Sequence, residues 1–337
     1  MSGEASMLAG ACVEPGRFAL LERPVPQEAP EGWLLVDIAA VGLCGTDFHI
    51  LEGKHPYLAY PRVIGHELSG RVVRGEHGFD AGDLVVVNPY LSCGTCRPCR
   101  RGKPNCCMAI EVLGVHRDGG MCARIAVPAG NLIDAGSLSA HEAAMVEFLA
   151  IGAHAVARSG PGEGDRVLVT GAGPIGIGAA LFARLDGAEV HLMDTSEARL
   201  DRAGALFGFE HRHVAGPDIL SGELADGFDA VFDATGSARA IEAGFSLLAH
   251  GSTYVLISVV KDDISFNDAE FHKREARIVG SRNALRTDFD RVIEALSTGA
   301  IDSGALLSET VALADTPVRF PELARDREGL VKAIVTL

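Results

Sequence analysis

The sequence has few basic residues and no long apolar run, and both shortages exclude classes of function. Thirty Lys and Arg stand against forty-five Asp and Glu, which gives a formal net charge of −15 at pH 7. A surface of that sign repels nucleic acid phosphates and anionic lipids, so we expect neither nucleic acid nor a membrane as partner. No stretch approaches the roughly 20 apolar residues that cross a bilayer, and the N-terminus lacks a basic segment followed by an apolar run. We therefore expect a soluble, cytoplasmic protein.

Aromatic residues are also scarce, at 6% of the chain, whereas glycine is abundant with 40 residues. This mixture is typical of tight βα turns and of helices packed closely on a parallel sheet. The 337 residues exceed the usual size of one compact core, which predicts two domains. An α/β architecture is the expected fold class.

Strand and helix patterns divide the chain into two parts. From Trp33 to about Pro128, short apolar runs bounded by Gly, Pro, Asn or Asp predict a compact β-rich domain. After Gly160, strand signals alternate with helical patterns at 173–185, 197–207, 239–248 and 288–296, which predicts a doubly wound parallel sheet. The C-terminal EGLVKAIVTL predicts a strand that returns to the first domain. We expect one domain over residues 1–148 and 286–337 and the other over residues 149–285.

A glycine-rich turn after the strand VLVT predicts a dinucleotide site. The first glycine of such a turn permits a tight bend, the second lets the backbone approach the pyrophosphate, and the third allows close helix packing. The phosphates then meet the N-terminus of the following helix. The candidate cofactor residues in this turn are Gly171, Gly173, Pro174, Ile175 and Gly176.

The next apolar run, VHLMD, ends at Asp194. This is the separation expected for the acidic residue that hydrogen-bonds the adenosine ribose. A carboxylate there repels a 2′-phosphate, so NAD is the predicted cofactor. Arg199, five residues later, either lies over the adenosine ribose or is an ordinary surface side chain.

The eight cysteines are not dispersed as a disulfide framework, because five of them lie between positions 93 and 107. Cys93, Cys96, Cys99 and Cys107 supply four thiolates, the ligand set of a closed tetrahedral structural zinc site. Cys106 competes with its neighbour Cys107 for the fourth position. The sequence therefore predicts a zinc-organised loop.

A second set of candidate ligands comes from distant segments. Cys44 offers a thiolate, His66 an imidazole, and Glu67 and Glu147 offer carboxylates. A catalytic zinc typically keeps three protein ligands and an open position for water or substrate, and mixed ligands of this kind suit it.

The motifs GLCGTDFH, GHE, CGTCRPCRRGKPNCC and GAGPIG resemble, in this order, those of the zinc-containing medium-chain alcohol and polyol dehydrogenases. The resemblance implies a GroES-like catalytic domain and a Rossmann coenzyme domain, with the active site in the cleft between them. It implies one catalytic and one structural zinc, and Cys44, His66 and a glutamate as ligands of the former. Because adjacent strand residues point to opposite faces, His66 and Glu67 share a metal only across a turn. We take Glu67 as the ligand and Glu147 as a ligand or as the partner of one.

The resemblance also implies roles for residues near the reacting atoms. Thr46 is similar to the hydroxyl that hydrogen-bonds the substrate oxygen, and His49 to the imidazole that passes the proton to solvent. Asp47 either orients an imidazole or caps a turn, and we favour capping. Thr235, in DATGS, and Ser258, after the strand STYVLI, are expected beside the cofactor by the same analogy.

The segments FHKREARIVGSRNA and VLGVHRDGG resemble the branch that handles L-galactonate, L-gulonate and related sugar acids at carbon 5. In that branch Arg282 is the candidate that holds a carboxylate or vicinal hydroxyls, and Asn283 is a further candidate. A polyol, sugar or L-threonine dehydrogenase with the same zinc chemistry remains an alternative, as does a non-catalytic zinc and nucleotide-binding relative. The expected partner is a small-molecule substrate. Family analogy also implies a homodimer or homotetramer.

Overall fold

A computed structural model describes residues 5–55, 58–216 and 219–337. The chain divides into two compact units, Met1–Glu147 with Ile293–Leu337, and Phe148–Val292. The sequence placed the two boundaries after residues 148 and 285. The structure places them after residues 147 and 292, so the second boundary falls inside a helix that spans 286–297.

The first part of the first unit is rich in short strands. They are β1 (Ser6–Glu14), β2 (Arg17–Pro24), β3 (Trp33–Gly42), β4 (Arg62–Val63), β5 (Glu67–Val72), β6 (Leu84–Val87), β7 (Tyr90–Leu91), β8 (Glu111–Val112), β9 (Arg124–Pro128) and β10 (Leu132–Asp134). The helices between them are α1 (Gly45–Leu51), α2 (Arg97–Arg100) and α3 (Ala140–Ala144), and 3₁₀ turns cover Pro104–Cys106 and Ala129–Asn131.

The second unit consists of strands that alternate with helices. Its strands are β11 (Arg166–Thr170), β12 (Glu189–Asp194), β13 (His211–Val214), β14 (Phe228–Asp233), β15 (Leu248–Leu256) and β16 (Arg277–Gly280). Its helices are α4 (Val146–Ser159), α5 (Pro174–Leu185), α6 (Glu197–Phe207), α7 (Ala238–Gly244), α8 (Asp268–Lys273) and α9 (Arg286–Ser297), with 3₁₀ turns at Gly222–Leu224 and Phe245–Leu247. The chain then returns to the first unit through α10 (Ser303–Leu306), β17 (Leu307–Ala312), a 3₁₀ turn (Leu313–Asp315), α11 (Thr316–Arg325) and β18 (Lys332–Thr336).

The main sheet of the first unit has the strand order β10-β6-β5-β3-β18-β17, with β9 also paired to β3. Inward residues of β3 alternate along the strand, with Leu34, Val36 and Ile38 buried, as a half-buried strand requires. The C-terminal β18 pairs antiparallel with β3 and parallel with β17. Residues from the two ends of the chain therefore form one sheet.

The sheet of the second unit has the order β13-β12-β11-β14-β15-β16, and every described pair in it is parallel. Numbered within the unit, this is the 3-2-1-4-5-6 order of a Rossmann fold. The predicted fold class is confirmed. In such a sheet the carboxyl ends of the strands lie at one edge, where ligands bind.

The helix predicted at 239–248 is wrong at its C-terminal end. Helix α7 ends at Gly244, and the chain enters β15 at Leu248. Buried Leu248 pairs with Phe228 of β14, so sheet pairing overrides the helical pattern of this segment. The helix predicted at 197–207 has those bounds, and Gly208 ends it with a left-handed φ of 69°.

Across the described residues, no helix is both long enough and apolar enough to pass through a bilayer.

Candidate active site

Cys44, His66 and Glu67 each place a ligand atom within 4.8 Å of the other two. Cys44 precedes α1, at the end of β3, and Glu67 begins β5, which pairs with β3. His66 lies between Gly65 and the first residue of β5. Gly65 has a φ of +97°, and it provides the turn that the sequence analysis required if His66 and Glu67 are to share one metal. A thiolate, an imidazole and a carboxylate in one cluster fit zinc.

Two glycines leave room for this cluster. A Cβ on Gly42 would lie 2.1 Å from Glu67 Oε2, so only glycine lets the carboxylate occupy its place beside β3. A Cβ on Gly65 would lie 2.8 Å from Val41 Cγ1, in addition to the positive φ of that residue. The close approach of the backbone therefore depends on both positions.

Asp47 connects the cluster to its surroundings. Its Oδ2 accepts a hydrogen bond from the backbone N–H of Cys44 at 2.9 Å, which is the capping role favoured from the sequence. Its Oδ1 also lies 3.6 Å from Nδ1 of His66, so the fully buried carboxylate faces the imidazole as well. The structure thus combines the two roles that the sequence treated as alternatives, because α1 carries Asp47 back towards the turn at Gly65.

The His66 ring is buried, and its Nδ1 has no hydrogen-bond partner among the described residues. Burial lowers the pKa of His66, but the negative charges of Asp47 and Cys44 outweigh burial and raise the pKa well above its usual range. A site that attracts a proton this strongly is one that a divalent cation would neutralise. The residues present therefore fit a bound zinc ion.

Glu67 forms a buried ion pair that the sequence analysis missed. Nζ of Lys332 lies 2.7 and 2.6 Å from the two carboxylate oxygens and donates to the Leu43 carbonyl at 3.2 Å. Both side chains are at most 1% exposed. The only hint in the sequence was a lysine inside the otherwise apolar C-terminal strand, since Lys is almost never buried unless paired.

Glu147 lies outside the group of mutually close ligand atoms formed by Cys44, His66 and Glu67. It is buried, and it accepts a hydrogen bond from the Tyr90 hydroxyl. Burial raises the pKa of Glu147 to about 7, against the attraction of His66. The structure therefore places Glu147 electrostatically near the cluster, with Tyr90 as a partner that sequence reasoning did not identify.

Thr46 and His49 both lie on α1, three residues apart and hence on one face of the helix. Thr46 is half-buried and His49 is exposed. Partial desolvation of the ring, which still reaches solvent, lowers the pKa of His49, and the charges of Arg327 and Lys54 act in the same direction against that of Glu52. The imidazole is thus biased towards its neutral, proton-accepting form.

The four cysteines of the 93–107 loop converge on one point. Sγ of Cys96 lies 3.4 Å from that of Cys99 and 3.8 Å from that of Cys107, and Cys107 lies 3.5 Å from Cys93. Thiolates bound at 2.3 Å to one tetrahedral zinc lie about 3.8 Å apart, so this cluster needs little change to hold an ion. Cys107 is buried in the group, whereas Cys106 is exposed outside it.

Hydrogen bonds within the loop prepare one of these thiols for ligation. Backbone N–H groups of Thr95 and Cys96 lower the pKa of Cys93 to about 6. Desolvation, with hydrogen bonds to the neighbouring sulfurs, raises the pKa of Cys99 to about 12. The Cys93 thiol is therefore biased towards the thiolate, the form that binds a metal ion.

In the second unit, the glycine turn lies between β11 and α5. A Cβ on Gly176 would lie 1.8 Å from the Gly171 carbonyl oxygen, whereas none of the described atoms lies within 4 Å of a Cβ on Gly173. The absence of a Cβ at Gly176 lets the helix pack directly on the turn, and the open side at Gly173 leaves room for a ligand at the helix N-terminus. Pro174 and Ile175 form the first turn of α5.

Asp194 ends β12 beside this turn. Its Oδ2 accepts from the Ala172 N–H at 2.7 Å and its Oδ1 from the Ser196 N–H at 2.8 Å. Arg199 Nη1 lies 3.8 Å from Asp194 Oδ2. The structure thus brings the predicted acidic residue, its basic companion and the glycine turn together.

Thr235 and Ser258 meet at Asp233, the buried last residue of β14. The Thr235 hydroxyl donates to Asp233 Oδ2 at 2.8 Å, and the Ser258 hydroxyl donates to Oδ1 at 2.5 Å. Thr170, at the end of β11, also donates to Oδ2 at 3.1 Å. Asp233 thus ties three strand ends together at the carboxyl edge of the sheet.

Arg282 and Asn283 follow β16, the edge strand of the same sheet. Arg282 is exposed, and Asn283 is half-buried with a left-handed φ of 52°. Both therefore lie at the carboxyl edge of the second unit, near the end of the strand that the sequence associated with substrate.

Comparison with known proteins agrees with this geometry. Residues 30–137 match the model of the alcohol dehydrogenase GroES-like domain, and residues 174–298 match that of the zinc-binding dehydrogenases. The chain belongs to the zinc-binding medium-chain alcohol dehydrogenases. This confirms the family predicted from the sequence, and with it an enzyme of the zinc-dependent alcohol and polyol dehydrogenase class.

Two full-length relatives act on carbon 5 of sugar derivatives, as their names state. The L-galactonate-5-dehydrogenase of Escherichia coli K12 is 36% identical, over 96% of this chain and 97% of its own. The D-altritol 5-dehydrogenase of Agrobacterium fabrum is 37% identical, over 90% and 92%. The solved structure of an alcohol dehydrogenase from Escherichia coli CFT073, complexed with NADH, superimposes with a TM-score of 0.91 at 29% identity, covering 98% and 99% of the two chains.

Proposed function

We propose that this dehydrogenase oxidises the carbon-5 hydroxyl of a sugar acid of the L-galactonate or L-gulonate type, with NAD as hydride acceptor. The observation that carries the proposal is the 36% identity to L-galactonate-5-dehydrogenase along nearly the whole chain. An anionic substrate approaches a protein of net charge −15 against its field, so it requires a local cation. We assign that part to Arg282, with Asn283 beside it, because a guanidinium binds a carboxylate through two parallel hydrogen bonds.

For the catalytic site we assign Cys44, His66 and Glu67 as zinc ligands. Bound zinc would supply Lewis acidity that lowers the pKa of the substrate hydroxyl. The protein's own groups then have to hold that hydroxyl and remove its proton. Thr46 hydrogen-bonds the substrate oxygen, and His49 accepts the proton at its ring nitrogen and releases it to solvent.

Glu147 serves this site as a buried neighbour of the ligands, hydrogen-bonded to Tyr90, rather than as a resting ligand. Two observations support this assignment: its carboxylate is engaged by Tyr90, and it stands outside the close group of ligand atoms. The Cys93, Cys96, Cys99 and Cys107 cluster holds a second, structural zinc, which would supply the core that its loop lacks.

The cofactor proposal rests on the second unit. The glycine turn receives the pyrophosphate, and the Asp194 carboxylate accepts from the adenosine ribose and repels a 2′-phosphate. Arg199 balances the Asp194 charge from 3.8 Å. Thr235 and Ser258, held by Asp233, line the nicotinamide end.

A neutral polyol is the second candidate substrate, supported by the 37% identity to D-altritol 5-dehydrogenase. The zinc motifs serve either substrate, and equally L-threonine or a sugar. A non-catalytic role would require loss of chemistry despite the presence of Cys44, Thr46, His49 and His66 together. A cytoplasmic location and a homodimer or homotetramer remain predictions from the sequence.

The deciding measurement follows NADH formation at 340 nm with L-galactonate, L-gulonate, D-altritol, other polyols, aldoses and L-threonine. We expect turnover of the sugar acids with zinc-replete enzyme and loss after chelation. Turnover of neutral polyols alone would replace the proposed substrate with the second candidate. Tight NAD binding without turnover of any substrate would leave only the non-catalytic role.

Substitution of Arg282 tests the substrate anchor. A hydrogen bond to a charged group contributes about 1.5–3 kcal/mol, so Arg282→Gln should raise KM for the sugar acid by about 10- to 150-fold. Arg286→Gln removes another exposed cation four residues away and serves as the matched control, with KM expected to stay unchanged. Equal effects of the two variants would show that general charge, not Arg282, attracts the substrate.

Asp194→Asn tests the cofactor preference. The amide keeps the shape and one acceptor oxygen but loses the charge that repels a 2′-phosphate. We expect the ratio of kcat/KM for NAD over NADP to fall in the variant. Equal use of NAD and NADP by the unaltered enzyme would contradict the assignment of Asp194.

A further inference from the structure

A cluster of imidazoles in the second unit, distinct from both cysteine-containing sites, lies at the edge of the Rossmann sheet. Glu189, His191 and His211 each place a ligand atom within 4.8 Å of the other two. The rings of His191 and His211 stack with centroids 4.4 Å apart. The reaction proposed above uses none of these residues.

The strand register creates this cluster. His191 of β12 pairs directly with His211 of the edge strand β13, and Met193 pairs with His213. Registered residues of parallel strands point to the same face, and side chains alternate with a period of two. Glu189, His191, His211 and His213 therefore share one face, an arrangement that neither segment shows alone.

The ring of His191 is held at both nitrogens. Its Nε2 lies 2.8 Å from Glu189 Oε1, and its Nδ1 lies 2.9 Å from His213 Nε2. Without a metal, the proton on Nε2 of His191 is donated to Glu189, and Nδ1 of His191 accepts a hydrogen bond from His213. In the other tautomer, Nδ1 donates to His213 and the Nε2 lone pair faces Glu189 and is available to a cation.

We propose that Glu189, His191 and His211 bind a divalent transition metal ion of the zinc class, with His213 orienting the His191 ring. Two nitrogen or oxygen ligands of one tetrahedral zinc, at 2.0–2.1 Å, lie about 3.3 Å apart, so Nε2 of His191 and Oε1 of Glu189 have to separate by only about 0.5 Å. Imidazole with carboxylate is a ligand set that suits zinc, copper and nickel. The ion would join the edge strand β13 to β12.

The surroundings favour the neutral imidazoles that bind metal. Burial lowers the pKa of His191 and of His213. His211 and Glu189 are exposed, which gives an ion access from solvent. Arg166 Nε lies 3.4 Å from Glu189 Oε1 and competes with the ion for that carboxylate.

The test is calorimetric titration with Zn²⁺ of the full-length protein after dialysis against zinc-free buffer without chelator, so that tightly held zinc stays in place. We expect one exchangeable equivalent. Mutating a residue that only hydrogen-bonds a metal ligand typically lowers metal affinity about 10- to 100-fold. Replacing a ligand itself, as in His211→Asn, should therefore weaken zinc binding by at least about tenfold. His213→Asn should weaken it as well, and Glu189→Gln gives a second ligand variant.

His250→Asn is the matched control, since His250 is an exposed histidine on β15 of the same unit. It should bind zinc as the unaltered protein does. The proposal is overturned if no exchangeable equivalent binds, if His211→Asn and Glu189→Gln both bind it unchanged, or if His250→Asn removes it. Because the readout is zinc binding at this cluster, failure here leaves the proposed dehydrogenase activity untouched.

Discussion

Replacing Lys332 by methionine would test how the buried carboxylate of Glu67 is balanced. Methionine keeps most of the side-chain volume but removes the ammonium that lies 2.6 and 2.7 Å from the two oxygens. In metal-free protein the carboxylate then stays buried without a counter-charge, packed against Gly42.

The expected magnitude follows from the burial of both partners, neither more than 1% exposed. Removing one partner of a buried pair costs about 3–5 kcal/mol, because the other charge is left uncompensated. We expect that loss in the free energy of unfolding of metal-free protein. With zinc bound, the ion replaces the ammonium as the partner of Glu67, so the loss should be smaller and zinc affinity should rise accordingly.

Urea unfolding followed by the fluorescence of Trp33 is the suitable assay, since this single tryptophan lies on β3 of the first unit, the strand that pairs with β18. Arg286→Met, which breaks an exposed pair with Asp290, is the control and should cost at most about 1 kcal/mol. The double variant Lys332→Met with Glu67→Gln should regain most of the lost stability. A loss as small as the control would refute the buried-pair argument, and equal losses with and without zinc would refute Glu67 as a ligand.

Three further predictions address other parts of the molecule. Cys96→Ser should expose the 93–107 loop to limited proteolysis by weakening its zinc site, whereas Cys106→Ser, outside the cluster, should not; equal cleavage of both would contradict the ligand set. Gly176→Ala should lower the free energy of unfolding by at least about 1–3 kcal/mol, because its Cβ would lie 1.8 Å from the Gly171 carbonyl oxygen. Gly173→Ala should keep the unfolding free energy of the unaltered protein yet bind NADH weakly, which calorimetry can check. Because partial desolvation lowers the pKa of His49, the rise of kcat with pH should have its midpoint below the usual 6.5, and His49→Gln should abolish that rise; an unchanged profile would exclude His49 from proton transfer.

The candidate site shows where sequence reasoning succeeded and where it lacked information. The cysteine spacing predicted a cluster that the structure brings together, because all four thiols lie within one short loop. The requirement for a turn between His66 and Glu67 followed from strand geometry, and Gly65 provides it. The role of Asp47 was only half seen, since its distance to His66 depends on how α1 packs against a later turn.

The features that depend on residues close together in the chain could be predicted from the sequence alone. The glycine turn, the acidic residue after the next strand, the cysteine loop and the strand-helix alternation are each defined by residues close together in the chain, so their chemistry can be predicted without coordinates. Tertiary structure decided what distant strands bring together. Lys332 meets Glu67 across 265 positions, Tyr90 meets Glu147 across 57, and the histidines of β12 and β13 meet through strand register. Such contacts follow from packing and pairing between segments, because burial of a charge or an imidazole is acceptable only where another segment supplies its partner.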